Sequence, residues 1–67
     1  MLIKKMKTGN AYYIETATGD MYIIKRYNLV WVLEQFDIVN LEYSAVCHSD
    51  TLGTLLEMIL RGEFDND

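Results

Sequence analysis

The chain has 67 residues, a formal net charge of −4 and a pI near 4.7. That length sets a single domain, residues 1–67, near the lower limit for independent folding. The acidic balance removes a basic nucleic-acid footprint, the lone cysteine forbids an intrachain disulfide, and no apolar run reaches the roughly 18 residues of a membrane helix.

An apolar content of 51% without proline argues for a packed core rather than disorder. A small domain without disulfide pairs suits a reducing cytoplasm. Residues 1–7 share lysines with the start of a signal peptide, but no apolar core segment follows. A chain this short has a thin stability margin, which leaves a dimer or a complex open.

Leu2 to Lys7 is a short strand candidate that breaks at Gly9-Asn10. Residues 12–16, 21–26 and 29–36 are rich in aromatic and β-branched side chains, and turn signals separate them. Residues 12–36 therefore read as a three-stranded antiparallel meander. Ala17-Thr18-Gly19 fits a three-residue loop with Gly19 in the left-handed position. It pairs Thr16 with Asp20, Ile14 with Tyr22 and Tyr12 with Ile24. Tyr27-Asn28 serves as a two-residue loop, because Asn tolerates positive φ. It pairs Arg26 with Leu29, Ile24 with Trp31 and Tyr22 with Leu33.

Side chains alternate across a strand, so these registers define two faces. One carries Tyr12, Ile14, Tyr22, Ile24, Trp31 and Leu33 and is the expected core. The other carries Tyr13, Glu15, Met21, Ile23, Lys25, Val30, Val32 and Glu34, with the apolar row Tyr13–Ile23–Val32 straight across its middle. Lys4 and Lys5 leave open whether the first strand lies over that row.

Residues 37–48 are open between strand and loop. Asn40 points to a turn near 37–41, and Glu42 to Cys47 can add a strand with Tyr43, Ala45 and Cys47 on one side. From about residue 50 to 61, Leu52, Leu55, Leu56, Ile59 and Leu60 fall on one helical stripe. Ser49 or Asp50 is the expected N-cap, Arg61 suits the C-terminal dipole and Gly62 suits C′. Gly53 weakens the first turn by roughly 1 kcal/mol. Residues 63–67 form an acidic tail anchored by Phe64.

The expected architecture is α+β: an antiparallel sheet of three to five strands with one amphipathic helix on the Trp31 face.

Catalytic chemistry finds little footing. Cys47-His48-Ser49-Asp50 places nucleophile, base and acid types side by side, but adjacent residues do not converge on one substrate atom. One His and one Cys cannot close a four-ligand zinc site, and Asp65-Asn66-Asp67 lacks the later ligands of a calcium loop. Gly9 and Gly19 are isolated turn residues, not a phosphate loop. Tyr12, Tyr13, Tyr22, Tyr27 and Trp31 have the ring types that stack bases, yet the basic groove such binders use is missing. No cofactor, metal or direct nucleic-acid contact is expected. Glu15, Lys25 and Glu34 either form cross-strand ion pairs worth about 0–1 kcal/mol each or rim a binding patch. A contiguous apolar row between them favours the patch.

Over residues 12–62 the order of elements resembles the short phage-encoded proteins built from a twisted β-meander and one helix. The stretch Gly19-Asp20-Met21-Tyr22-Ile23-Ile24, the tryptophan strand Leu29-Val30-Trp31-Val32-Leu33 and the helix Asp50 to Leu60 carry the likeness. Such proteins often inhibit host enzymes or defence systems, anti-CRISPR proteins among them. The Asp50-Thr51-Leu52 opening of the helix also resembles the HicB-like antitoxin domain, whose glycine- and proline-containing stretch before the helix is missing here. The resemblance implies a non-enzymatic inhibitor of a host nucleic-acid enzyme or defence complex such as CRISPR-Cas. An antitoxin-like regulator and a homodimeric structural subunit are the alternatives. The expected protein-binding residues are Tyr13, Met21, Ile23, Val32, Glu34, Asp37 and Glu42. Their expected partner is a host protein with a basic surface.

Overall fold

Five strands and one helix follow in chain order: β1 (Leu2–Lys5), β2 (Ala11–Glu15), β3 (Met21–Tyr27), β4 (Val30–Asp37), β5 (Glu42–Ser49) and α1 (Leu52–Leu60). The computed structural model describes residues 1–7 and 9–64. The strands form one antiparallel sheet in the order β1-β2-β3-β4-β5, so the fold is α+β.

The β2–β3 turn is built as the residues dictate. Gly19 sits at φ +90°, where a Cβ would be strained. The Thr16 N–H donates to the Asp20 carbonyl at 2.9 Å, and the Gly19 N–H donates to the Thr16 carbonyl at 3.0 Å. Ile14 then faces Tyr22 and Tyr12 faces Ile24.

The next turn differs. Its two loop residues are Asn28 and Leu29, not Tyr27 and Asn28, with Asn28 at φ +54°. Tyr27 pairs with Val30, Arg26 with Trp31, Ile24 with Leu33 and Tyr22 with Gln35. Moving a loop of fixed length by one residue shifts the pairing by two, so every side chain keeps its face. Leu29, expected in the strand, is exposed at the turn.

Residues 37–41 make a turn, and β5 follows as a full edge strand. A bulge between Leu33 and Glu34 changes the phase of β5: Leu33 pairs with Cys47, Glu34 with Ala45 and Phe36 with Tyr43. Cys47 therefore joins the core side, while Ala45 and Tyr43 turn to the other face. The expectation that all three share a side fails at the extra residue, Val46.

The helix packs against β4 and β5. Ile14, Tyr22, Ile24, Leu33, Leu55 and Ile59 form the buried cluster, edged by Tyr12, Trp31, Cys47, Leu52, Leu56, Met58 and Phe64. Leu60 was expected in the stripe but is 67% exposed. The helix is shorter than 50–61, and its N-cap is Thr51, with no side-chain cap bond; Ser49 and Asp50 precede it. The C-terminus matches the expectation. Gly62 at φ +73° closes a Schellman motif, with Gly62 N–H donating to the Ile59 carbonyl and Glu63 N–H to the Met58 carbonyl.

Phe64 anchors the following segment: its ring meets Tyr22 at 6.3 Å, and its carbonyl accepts from Gln35 Nε2 at 2.8 Å. The acidic residues Asp65 and Asp67 lie outside the described residues.

Candidate functional site: the open sheet face

β1 pairs edge-on with β2, with Leu2 opposite Glu15 and Lys4 opposite Tyr13. It therefore extends the sheet and does not cover it. With α1 on the opposite side, the second face has no covering element among the described residues.

The registers place its side chains in rows. Lys4, Tyr13, Ile23, Glu34 and Ala45 form the central row. The expected row Tyr13–Ile23–Val32 is thus corrected. Ile23 faces Glu34, and Val32 sits between Lys25 and His48, diagonal to Ile23. The two-residue register shift is the cause. Tyr13, Met21, Ile23, Val30, Val32, Phe36 and Tyr43 are all only half-buried. Phe36 and Tyr43 stack edge to face at 5.1 Å. Sequence reasoning had not placed these two rings on this face. The signal for Phe36 was the alternation Val30, Val32, Glu34, Phe36 carried one step further. Tyr43 needed the bulge.

The charges on this face are internally matched. Lys25 Nζ lies 3.6 Å from Glu34 Oε1. The Tyr13 hydroxyl donates to Glu15 Oε1 at 3.2 Å. Partial loss of water, then the Glu15 carboxylate, raises the Tyr13 phenol above its ordinary value. Partial burial, then the Glu34 charge, raises Tyr43. Both rings therefore remain neutral hydrogen-bond donors at physiological pH.

Of the seven expected binding residues, five share this face: Tyr13, Met21, Ile23, Val32 and Glu34. Asp37 and Glu42 do not. They pair with each other at the β4–β5 end, in phase with the helix-side residues Leu33 and Gln35. Asp37 is engaged locally. Its Oδ1 accepts the Val39 N–H at 2.8 Å and the Asn40 N–H at 3.4 Å, and its Oδ2 accepts from Asn40 Nδ2 at 2.8 Å. The Val39 bond, then those from Asn40, hold its carboxyl below the ordinary range. This side-chain turn presents Ile38, Val39 and Leu41, each at least 75% exposed. Leu41 stands at φ +56°, an uncommon conformation for a bulky residue.

Two hollows flank the face. One, of about 630 Å³, lies between the β2–β3 turn and the β4–β5 turn and includes Met21, Phe36, Ile38 and Val46. The other, of about 470 Å³, lies at β1 and includes Leu2, Lys4, Lys5, Lys7 and Tyr13. Cys47 Sγ is 4.0 Å from Met58 Sδ on the helix side, whereas His48 faces Val32 on the open side. The two do not converge. Among the described residues no group of three or more His, Cys, Asp or Glu is arranged to hold a metal ion. No helix among them is long and apolar enough to cross a membrane.

No family model, curated protein or solved structure matches this chain.

Proposed function

We propose that this chain is a non-enzymatic protein-binding module whose interface is the open sheet face. One observation carries the reading. Seven half-buried apolar or aromatic side chains lie contiguously on a five-stranded sheet that the described residues cover on one side only. Scattered exposed apolar residues need no explanation, but a contiguous patch marks an interaction surface. Tyr13, Phe36 and Tyr43 supply the aromatic anchors that dominate such interfaces.

In its specific form, the proposal is an inhibitor of a host nucleic-acid enzyme or defence complex, acting in the cytoplasm. The net charge of −4 supports a partner with a basic surface. The acids off the open face, Asp37 and Glu42 among them, would steer it, with Ile38, Val39 and Leu41 exposed between them.

The test is photo-cross-linking in cells that express the chain, from a reactive side chain at Ile23 or at Glu57 on the exposed helix surface. The proposal expects discrete adducts from position 23 and none from position 57. Adducts from position 57 alone, or none from either, would refute it.

A further inference from the structure

We infer that the occupant of the open face is a second copy of this chain, packed face to face. The inference rests on the reading of that face as a protein interface and names its partner.

The distribution of charge carries the argument. The open face holds Lys4 and Lys25 against Glu15 and Glu34, with His48 left out of the formal charge. Two cations balance two anions, so the face has no net charge. The chain has ten acids and six bases. Among the described residues the other surfaces carry six acids, Asp20, Asp37, Glu42, Asp50, Glu57 and Glu63, against four bases, Lys5, Lys7, Arg26 and Arg61.

A basic partner would be drawn to those other surfaces. The open face offers it no excess of carboxylates, and the Glu34 carboxylate there is already matched by Lys25 at 3.6 Å. Two copies of this acidic chain repel as whole bodies, and the open face adds no net charge to that repulsion. A neutral apolar patch therefore lets a second copy dock without setting like charges against each other.

The size agrees. The molecule measures 32 × 23 × 19 Å, so its broadest cross-section is comparable to the roughly 800 Å² per partner in a standard specific interface. Such a contact is isologous, with the same patch on both copies. Ile23 at its centre would meet the partner's apolar rows, while Lys4 and Glu15 at the rim are available to pair with the opposite charge on the second copy.

The charge argument also fixes the salt dependence. Two bodies of charge −4 with centres one thickness, 19 Å, apart repel less as salt screens them. Raising ionic strength from about 0.01 M to about 0.1 M should tighten the dimer roughly tenfold by a screened Coulomb calculation in water. A complex between this chain and a basic partner would weaken instead.

The experiment is sedimentation equilibrium of the full chain at several concentrations in low and moderate salt. Ile23→Asp and Lys25→Glu are run beside it, and fluorescence of Trp31, which lies on the helix side, reports folding. The expected result is twice the monomer mass of 7.8 kDa, with the dissociation constant falling about tenfold as salt rises. Lys25→Glu alters a partly exposed side chain without touching the buried cluster, and it makes each face net −2. It should stay folded and become monomeric even if Ile23→Asp does not fold. A monomer at millimolar concentration in moderate salt would overturn the inference. So would a dimer that weakens with salt, or one that a folded Lys25→Glu variant retains. The broader reading falls separately: a monomer that still cross-links from position 23 to a different protein keeps the module and discards the dimer.

Discussion

Replacing Leu55 with Ala removes one of only two helix residues that are fully or nearly fully buried. Leu55 is 0% exposed and Ile59 is 4% exposed, and both belong to the cluster with Ile14, Tyr22, Ile24 and Leu33. Leu→Ala in a core costs about 2–5 kcal/mol, depending on how far the cavity closes. A single helix lying on a sheet can settle toward it, so a value near 3 kcal/mol is expected. Total stability for a chain of this length is of the order of 3–10 kcal/mol at about 0.05–0.15 kcal/mol per residue, so the variant keeps little margin. The melting temperature should fall by roughly 12–24 °C, at about 4–8 °C per kcal/mol for a domain this small. Leu60→Ala is the matched control. Leu60 occupies the same sequence stripe but is 67% exposed, and surface substitutions stay within about 0.5 kcal/mol. Urea unfolding followed by Trp31 fluorescence and helix circular dichroism measures both variants. Equal losses would refute the placement of the helix, because the two leucines would then be equally buried.

Leu41→Asn should stabilise the fold by about 0.5–1 kcal/mol in the same assay. It relieves a left-handed conformation that costs an ordinary residue roughly 1–2 kcal/mol and removes little packing from a side chain that is 75% exposed; a loss of stability would contradict this. Gly62→Ala should cost about 1–2 kcal/mol, because φ is +73° there, and an unchanged unfolding midpoint would show that the Schellman closure is not used. The Asp37 carboxyl is held below its ordinary value of 3.8 by bonds from Val39 and Asn40. Its contribution is complete above pH 3.8 and is lost as pH falls through the lower folded value. An NMR titration should show the Asp37 carboxyl and the Val39 amide moving together below pH 3.8, and a midpoint above 3.8 would contradict the turn geometry.

What the residues revealed follows from how strongly each element is constrained. The β2–β3 register was legible because Gly19 is suited to one position of its loop. The β3–β4 loop was misplaced by one residue, since Tyr27-Asn28 and Asn28-Leu29 both put Asn28 inside a two-residue turn. The faces survived because that displacement preserves the period of two, but the central row did not survive, and Glu34 replaced Val32 opposite Ile23. The bulge beside Val46 left no mark in a strand of ordinary β-forming residues. Leu60 fits the helical stripe, yet it ends the nine-residue helix as an exposed side chain while its neighbour Ile59 is buried. The turn at Asp37 had a readable signal in Asp37-Ile38-Val39-Asn40, where an Asp side chain caps its own turn. The same bonds hold its carboxylate in the turn, off the open face. The open face was legible as a two-sided apolar sheet, whereas setting Lys4 and Lys25 against Glu15 and Glu34 on it depended on the strand registers.

The most direct test of the central claim is the access of a soluble paramagnetic probe to the methyl groups of Ile23 and Val32, compared with those of Ile38 and Val39. The measurement is made by NMR on the pure protein over a concentration series, then in extract of the cells that express it. Ile38 and Val39, at 76% and 84% exposure, should broaden under every condition. The account predicts that Ile23 and Val32 are shielded at high concentration and become accessible on dilution. Probe access to Ile23 and Val32 that stays the same at all concentrations and in extract would mean that nothing covers the open face, and would contradict the account.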